Sequence, residues 1–287
     1  MNYMSSKAKY TFSGHESFFC KALWLKKGYD FVKAEKKFSD ETSVVDLGVG
    51  KNMVASIKYW MRAFGMLKDD ELTKLANLIL NTDDGYDPYL EDLGTAWLLH
   101  YLLVSNGVAS IYNLFFCNFI KERNSTFTRE QIDSFIKRKC DETGNTLLYN
   151  PNTVKRDIGV LIQNYVSPTN TQTNEDYSAL LLSLNLIKRG EEKTYYFNYS
   201  AKSKVVQSIF LYAILDKKSS NVVPFDVLMD LATIFCMTKT ELVDMLTSIS
   251  KQYHESIQYS DNSGIRQLLF LHPFDKDEVL KKYYSKA

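Results

Sequence analysis

Three similar helix–helix–hairpin plans follow one another along this sequence, and that succession constrains the fold more than any other feature. One such pattern arises easily by chance. Three in series predict a modular architecture that docks on nucleic acid or on protein. No residue-level repeat accompanies them, so the similarity is one of plan.

The first plan lies in residues 1–82. Residues 30–38 read as helix, Ser39 or Asp40 as the cap of a short second helix, and Leu47-Gly-Val-Gly50 as a glycine turn. The helix that follows, residues 51–64, is the best-defined element of the chain. Val54, Ile57, Met61 and Phe64 recur at helical spacing and predict its buried stripe. Lys51, Lys58 and Arg62 fall together on a different face, with Asn52 beside Lys51. Gly65 predicts the stop. A short helix, a glycine turn and a second helix with a basic outer face form the pattern of a helix-turn-helix, in which Lys51, Asn52, Lys58 and Arg62 would meet DNA. An ordinary helical hairpin with a solvated lysine face has the same pattern.

Residues 83–125 open on a turn-rich segment and continue as two helices, 95–106 and 109–119, apolar nearly all round; they predict the central core. The second plan occupies residues 126–200. Thr128 and Gln131 have capping-box spacing, and Ile132, Phe135 and Ile136 give the helix behind them an inner face. In the next helix Val154, Ile158, Leu161, Ile162 and Tyr165 point inward. Lys155 and Arg156 face out from its first turns, where a recognition helix presents its base-reading residues. A short helix at 178–184 precedes β-rich runs around Gly190, a hairpin in the place of a wing. The third plan, residues 201–287, has helices at 204–215, 225–234 and 239–253, a hairpin over 257–270 with an Asp/Asn/Gly turn, and a closing helix at 275–284. The predicted fold is therefore mainly α with small β-hairpins (α+β), as tandem winged helix-turn-helix units around a helical core.

Composition bears on the partner. The 35 basic and 34 acidic residues leave a net charge of +1, which excludes tight non-specific coating of nucleic acid. A local basic face is all that phosphate contact requires. The four cysteines, Cys20, Cys117, Cys140 and Cys236, are too far apart for a CxxC zinc site and read as reduced thiols of a cytoplasmic protein. The longest apolar run, near residues 97–104, is broken by His100 and too short to span a membrane. GxxxxGK[ST] and GxSxG motifs are absent, which argues against nucleotide hydrolysis and α/β-hydrolase chemistry.

Four segments carry a family resemblance. They are Phe12-Ser-Gly-His-Glu-Ser-Phe18 with Trp24-Leu-Lys-Lys-Gly28; Leu47-Gly-Val-Gly-Lys-Asn-Met53 with Tyr59-Trp60 and Ala63-Phe-Gly65; Tyr86-Asp-Pro-Tyr-Leu-Glu-Asp92 with Trp97-Leu-Leu-His100; and Thr153-Val-Lys-Arg-Asp157. Together they resemble the bacterial domain-of-unknown-function family 4007, more specifically in the first half of the chain than after about residue 199. The resemblance implies a component of DNA phosphorothioation in phage defence. Such a protein would bind double-stranded DNA beside a cysteine desulfurase and a sulfurtransferase, and one relative is described as a DNA nickase.

A nickase would need carboxylates for a divalent metal, Mg²⁺ or Mn²⁺, or a nucleophile with a basic helper. The sequence offers His15 and Glu16 in the first family segment, and the acidic group Asp87, Glu91 and Asp92. Each has a plain structural alternative: His15 as a turn residue, and the acids as caps of the helix they precede. His100 reads as a satisfied core residue. Three functions stay open: a metal-dependent nickase, a non-catalytic DNA-binding adaptor, and a transcriptional regulator, the last without any effector-binding signature.

Overall fold

In the computed structural model, described over residues 10–122, 126–144, 146–168, 179–262 and 264–285, the stripe Val54, Ile57, Met61 and Phe64 is buried as its spacing predicts. Its helix, α3 (Lys51–Ala63), is crossed by α1 (Trp24–Lys33). A Cβ on Gly28 would lie 2.8 Å from Met61 Cγ and 3.0 Å from Ile57 Cγ2, so the glycine sets how closely the two helices approach. The helix expected over 30–38 instead ends at Lys33, because Glu35 turns left-handed (φ 60°). Between them α2 (Ser43–Leu47) stops on left-handed Gly48. Gly65 (φ 72°) ends α3, with Met66 N–H returning to Met61 O. The chain then pairs β1 (Leu67–Lys68) with β2 (Glu71–Leu72) around a tight turn at Asp69 and Asp70 and enters α4 (Lys74–Leu80).

The two apolar helices are α5 (Leu93–Ser105) and a run made of α6 (Ser110–Asn113), a π-helical turn (Leu114–Phe119) and α7 (Ile120–Glu122). Phe115, Phe116 and Phe119 pack there against Phe127 and Phe197. Among the described residues no single helix is long and apolar enough to cross a membrane. Next come β3 (Thr126–Phe127), α8 (Arg129–Glu142) behind the Thr128/Gln131 capping box, α9 (Pro151–Tyr165) capped by Asn150, β4 (Ile187–Arg189) and β5 (Tyr195–Phe197). The strands form one antiparallel sheet in the order β3-β5-β4. Where a helix was expected over 178–184, residue 178 lies outside the described residues and Ala179 bridges to Lys21. Only Leu182–Leu184 forms a 3-10 turn, ended by left-handed Asn185.

The chain divides into two compact units, residues 1–198 and 199–287. The second contains α10 (Gln207–Lys217), β6 (Val222–Pro224), α11 (Phe225–Ile234), α12 (Lys239–Gln252), β7 (Ile257–Asn262), β8 (Ile265–Phe270) and α13 (Lys276–Tyr284). Its sheet order, β6-β8-β7, repeats that of the first unit: the strand before the two helices lies beside the second strand of the hairpin. The fold is thus mainly helical with small antiparallel sheets, an α+β protein. The four cysteines are thiols outside any disulfide, and burial pushes the Cys236 thiol up to about 12.

Candidate nucleic-acid interface

The segment Phe12-Ser-Gly-His-Glu-Ser-Phe18 forms a strained loop in the first unit. Ser13 (φ 76°), Glu16 (φ 49°) and Ser17 (φ 66°) all adopt the left-handed region that non-glycine residues avoid, and Gly14 (φ 102°) lies between them. Such a loop persists only where its surroundings over-determine it. Here the surroundings are α9 and α3. Asp157 of α9 is buried and accepts from Ser13 N–H (2.9 Å to Oδ2) and from His15 Nε2 (2.9 Å to Oδ1). His15 Nδ1 accepts from Ser17 N–H at 3.1 Å, so the ring carries its proton on Nε2 and both nitrogens are engaged. The imidazole stacks on Trp60 at 6.3 Å, and Trp60 Nε1 donates to Phe18 O.

Gly14 lies flat on Tyr59; a Cβ there would come within 2.6 Å of the ring. Burial, and after it the charge of Asp157, pushes the Tyr59 phenol well above the usual tyrosine range. The loop is therefore seated between α3 and α9, with Ser13, Gly14, Glu16 and Ser17 exposed.

Asp157 is not among the site residues expected from the sequence, although a signal is present. At helical spacing it falls on the buried side of α9 with Val154, Ile158 and Leu161, and a carboxylate among apolar neighbours calls for donors.

The outer cations of α3 and α9 occupy different surroundings. On α3, Lys51, Lys58 and Arg62 share one face, as expected. Lys58 and Arg62, however, both donate to Asp70 at 2.8 Å. Lys51 and Lys58 also line a hollow of about 490 Å³ together with Asp40 and Glu41. Asn52 is exposed at the first turn.

On α9, Asn152, Lys155, Arg156, Gly159 and Gln163 span about 100° of helical arc. Four of them are exposed and Gly159 is partly so. Arg156 Nε donates to Asn152 O, and among the described residues neither Lys155 nor Arg156 forms an ion pair. In the second unit the corresponding helix, α12, carries carboxylates at Glu241 and Asp244, and its Ser248 and Gln252 bond to Gln207.

Two of the three acids, Asp87 and Asp92, are committed to backbone. Asp87, buried, accepts from Glu91 N–H and Asp92 N–H at 2.9 and 3.0 Å, and Asp92 is the N-cap of α5, accepting from Thr95 N–H. Glu91 and Glu16 are exposed. Among the described residues no three His, Cys, Asp or Glu side chains converge as a metal site. In this arrangement the acidic segment does not fit a divalent ion. His100 is fully buried and bonds to Tyr165 OH at 2.7 Å, in keeping with a satisfied core residue.

Two crystal structures resemble the whole chain. A magnesium-ion-bound SspB structure superposes with a TM-score of 0.85 at 26% identity, covering 98% of this chain and 90% of its own. A second SspB structure gives 0.84 at 26% identity, with 98% and 91% covered. No curated protein matches the sequence. A family model described as a protein of unknown function, DUF4007, spans residues 12–284, and the chain accordingly belongs to the DUF4007 family.

Proposed function

We propose that this protein is the DNA-binding component of a phosphorothioation system, the pathway that places sulfur in the DNA backbone. The observation that carries the reading is the outer arc of α9, two cations and three residues that offer no negative charge. A duplex presents closely spaced phosphates, and cations without a carboxylate partner are free to displace its counterions. The order strand–helix–helix–hairpin, with the first strand paired to the last, supports reading both sheets as wings of helix-turn-helix units and α9 as a recognition helix. The likeness to SspB over nearly the whole chain supports the link to DNA sulfur modification. It also supports, as partners, the sulfurtransferase and cysteine desulfurase of such a system, in the cytoplasm.

A second reading, strand nicking, draws on the strained loop with Glu16 exposed beside α9, since strain of this kind concentrates at functional sites. A magnesium-bound SspB structure makes Mg²⁺ the metal to supply.

One experiment addresses both readings. Purified protein is mixed with supercoiled plasmid in Mg²⁺ or Mn²⁺, and the products are run beside a gel shift. A shift with no relaxation is the expected result for a binding component. Relaxed circles that vanish with EDTA would add nicking. Absence of a shift at low salt would overturn the DNA-binding proposal.

A further inference from the structure

Gly159 stands in the middle of α9, in regular helical conformation, one turn beyond Lys155 and Arg156 and one turn before Gln163. Glycine inside a helix costs about 1 kcal/mol relative to alanine, because the unfolded chain loses more freedom on folding. Two other glycines of this unit have an internal reason. Gly28 lets α1 close on Met61 and Ile57, and Gly14 lies on the Tyr59 ring at a φ that side chains avoid. Gly159 has neither reason. Among the described residues a Cβ built there meets nothing within 4 Å. Alanine would fit and would strengthen the helix, so no contact among the described residues accounts for the glycine.

What remains is something outside it. We infer that Gly159 marks the point where the backbone of α9 makes its closest approach to duplex DNA, flanked by Arg156 and Asn152 on one side and Gln163 on the other. The inference deepens the DNA-binding reading and rests on it. The occupant is duplex DNA because the arc around the glycine holds two cations and two amide side chains and no carboxylate. Guanidinium and amide groups are the side chains that pair with phosphates and base edges. A helix backbone with no Cβ at its centre can sit deeper against sugar and base atoms than one with a methyl there.

The sign of the effects makes this testable. Gly159→Ala and Gly159→Leu are compared with the wild type in thermal melts and in fluorescence anisotropy with a labelled mixed-sequence duplex. The melting temperature of Gly159→Ala should rise, while its affinity for the duplex falls several-fold. Gly159→Leu should bind about tenfold more weakly, the size of losing one good base or phosphate contact. A change that stabilises the fold yet weakens binding is not produced by a merely structural glycine. Duplex affinities within twofold of wild type for both variants would overturn the inference. If Gly159→Leu fails to fold, Gly159→Ala decides alone. A wild type that binds no duplex overturns the underlying reading instead, whatever the variants do.

Discussion

α3 and α9 are two amphipathic helices of one unit, each with an apolar stripe inside and cations outside, and each is served by one acid. On α3 the acid comes from outside the helix: Asp70, in the β1–β2 turn, reaches back and bonds both Lys58 and Arg62. On α9 the acid is the helix's own, Asp157, turned inward to hold the strained loop, while Lys155 and Arg156 face solvent with no carboxylate partner among the described residues. The basic residues of α3 and α9 look alike in sequence, so basic spacing on a helix does not define a nucleic-acid surface. The position of the nearest carboxylate does, because a cation already matched releases little on meeting a phosphate.

The largest effect expected is on the inward acid. Asp157→Ala leaves Ser13 N–H and the Nε2 proton of His15 without acceptors, at a cost of about 1–3 kcal/mol for each unsatisfied group. Denaturant unfolding should show the first unit less stable by about 3 kcal/mol, with Asp157→Asn between the two because one oxygen acceptor remains. A loss under about 1 kcal/mol would mean that the Tyr59 and Trp60 contacts hold the loop by themselves, and the division of labour between the two acids would fall.

Next in size is DNA binding through α9. In Lys155→Ala/Arg156→Ala the salt slope of log K should become shallower by about 2, with affinity down at least about tenfold at low salt. The matching triple change on α3, Lys51→Ala/Lys58→Ala/Arg62→Ala, should flatten the slope by about 1 or less, since two of its three cations are committed to Asp70. A reversed ranking would make α3 the DNA-facing helix.

Much of this was legible in the sequence where local chemistry decides. The buried stripe of α3, the Thr128/Gln131 capping box, α11 at residues 225–234 and the β7–β8 hairpin follow from periodicity, caps and turn residues, which act within a few positions. The aromatic centre was legible as a run apolar on all sides. What escaped depends on partners far along the chain. Asp157 meets His15 across 142 positions, and no local rule pairs them. Asp70 meets Lys58 and Arg62 only because Asp69 and Asp70 both turn left-handed, a conformation that aspartate permits and spacing alone does not announce. Asp87 and Asp92 looked like a compact acidic cluster; their oxygens go to backbone N–H groups at the entry to α5, which the capping alternative anticipated.

The smallest effect expected is on the outward acid, and it tests the comparison from the other side. The Lys58 hydrogen bond, with the charges of Lys58 and Arg62, holds the Asp70 carboxyl below the usual carboxylate range. A carboxylate whose folded pKa is depressed stabilises the fold above its unfolded value, and that contribution is lost as pH falls through the folded one. Any stability difference between wild type and Asp70→Asn should therefore be present at neutral pH and vanish on acidification into that range. It should also be small, because Asp70 is 57% exposed and solvent-screened pairs contribute about 0–1 kcal/mol. The binding effect has the opposite sign to the stability effect. Asp70→Asn frees Lys58 and Arg62 while keeping the shape of the turn, so duplex affinity at low salt should rise a few-fold and the salt slope should steepen by up to about 1. That result would make Asp70 a brake on a second basic face next to the loop. Unchanged affinity and slope would place Lys58 and Arg62 away from the DNA and leave α9 as the contacting helix of this unit.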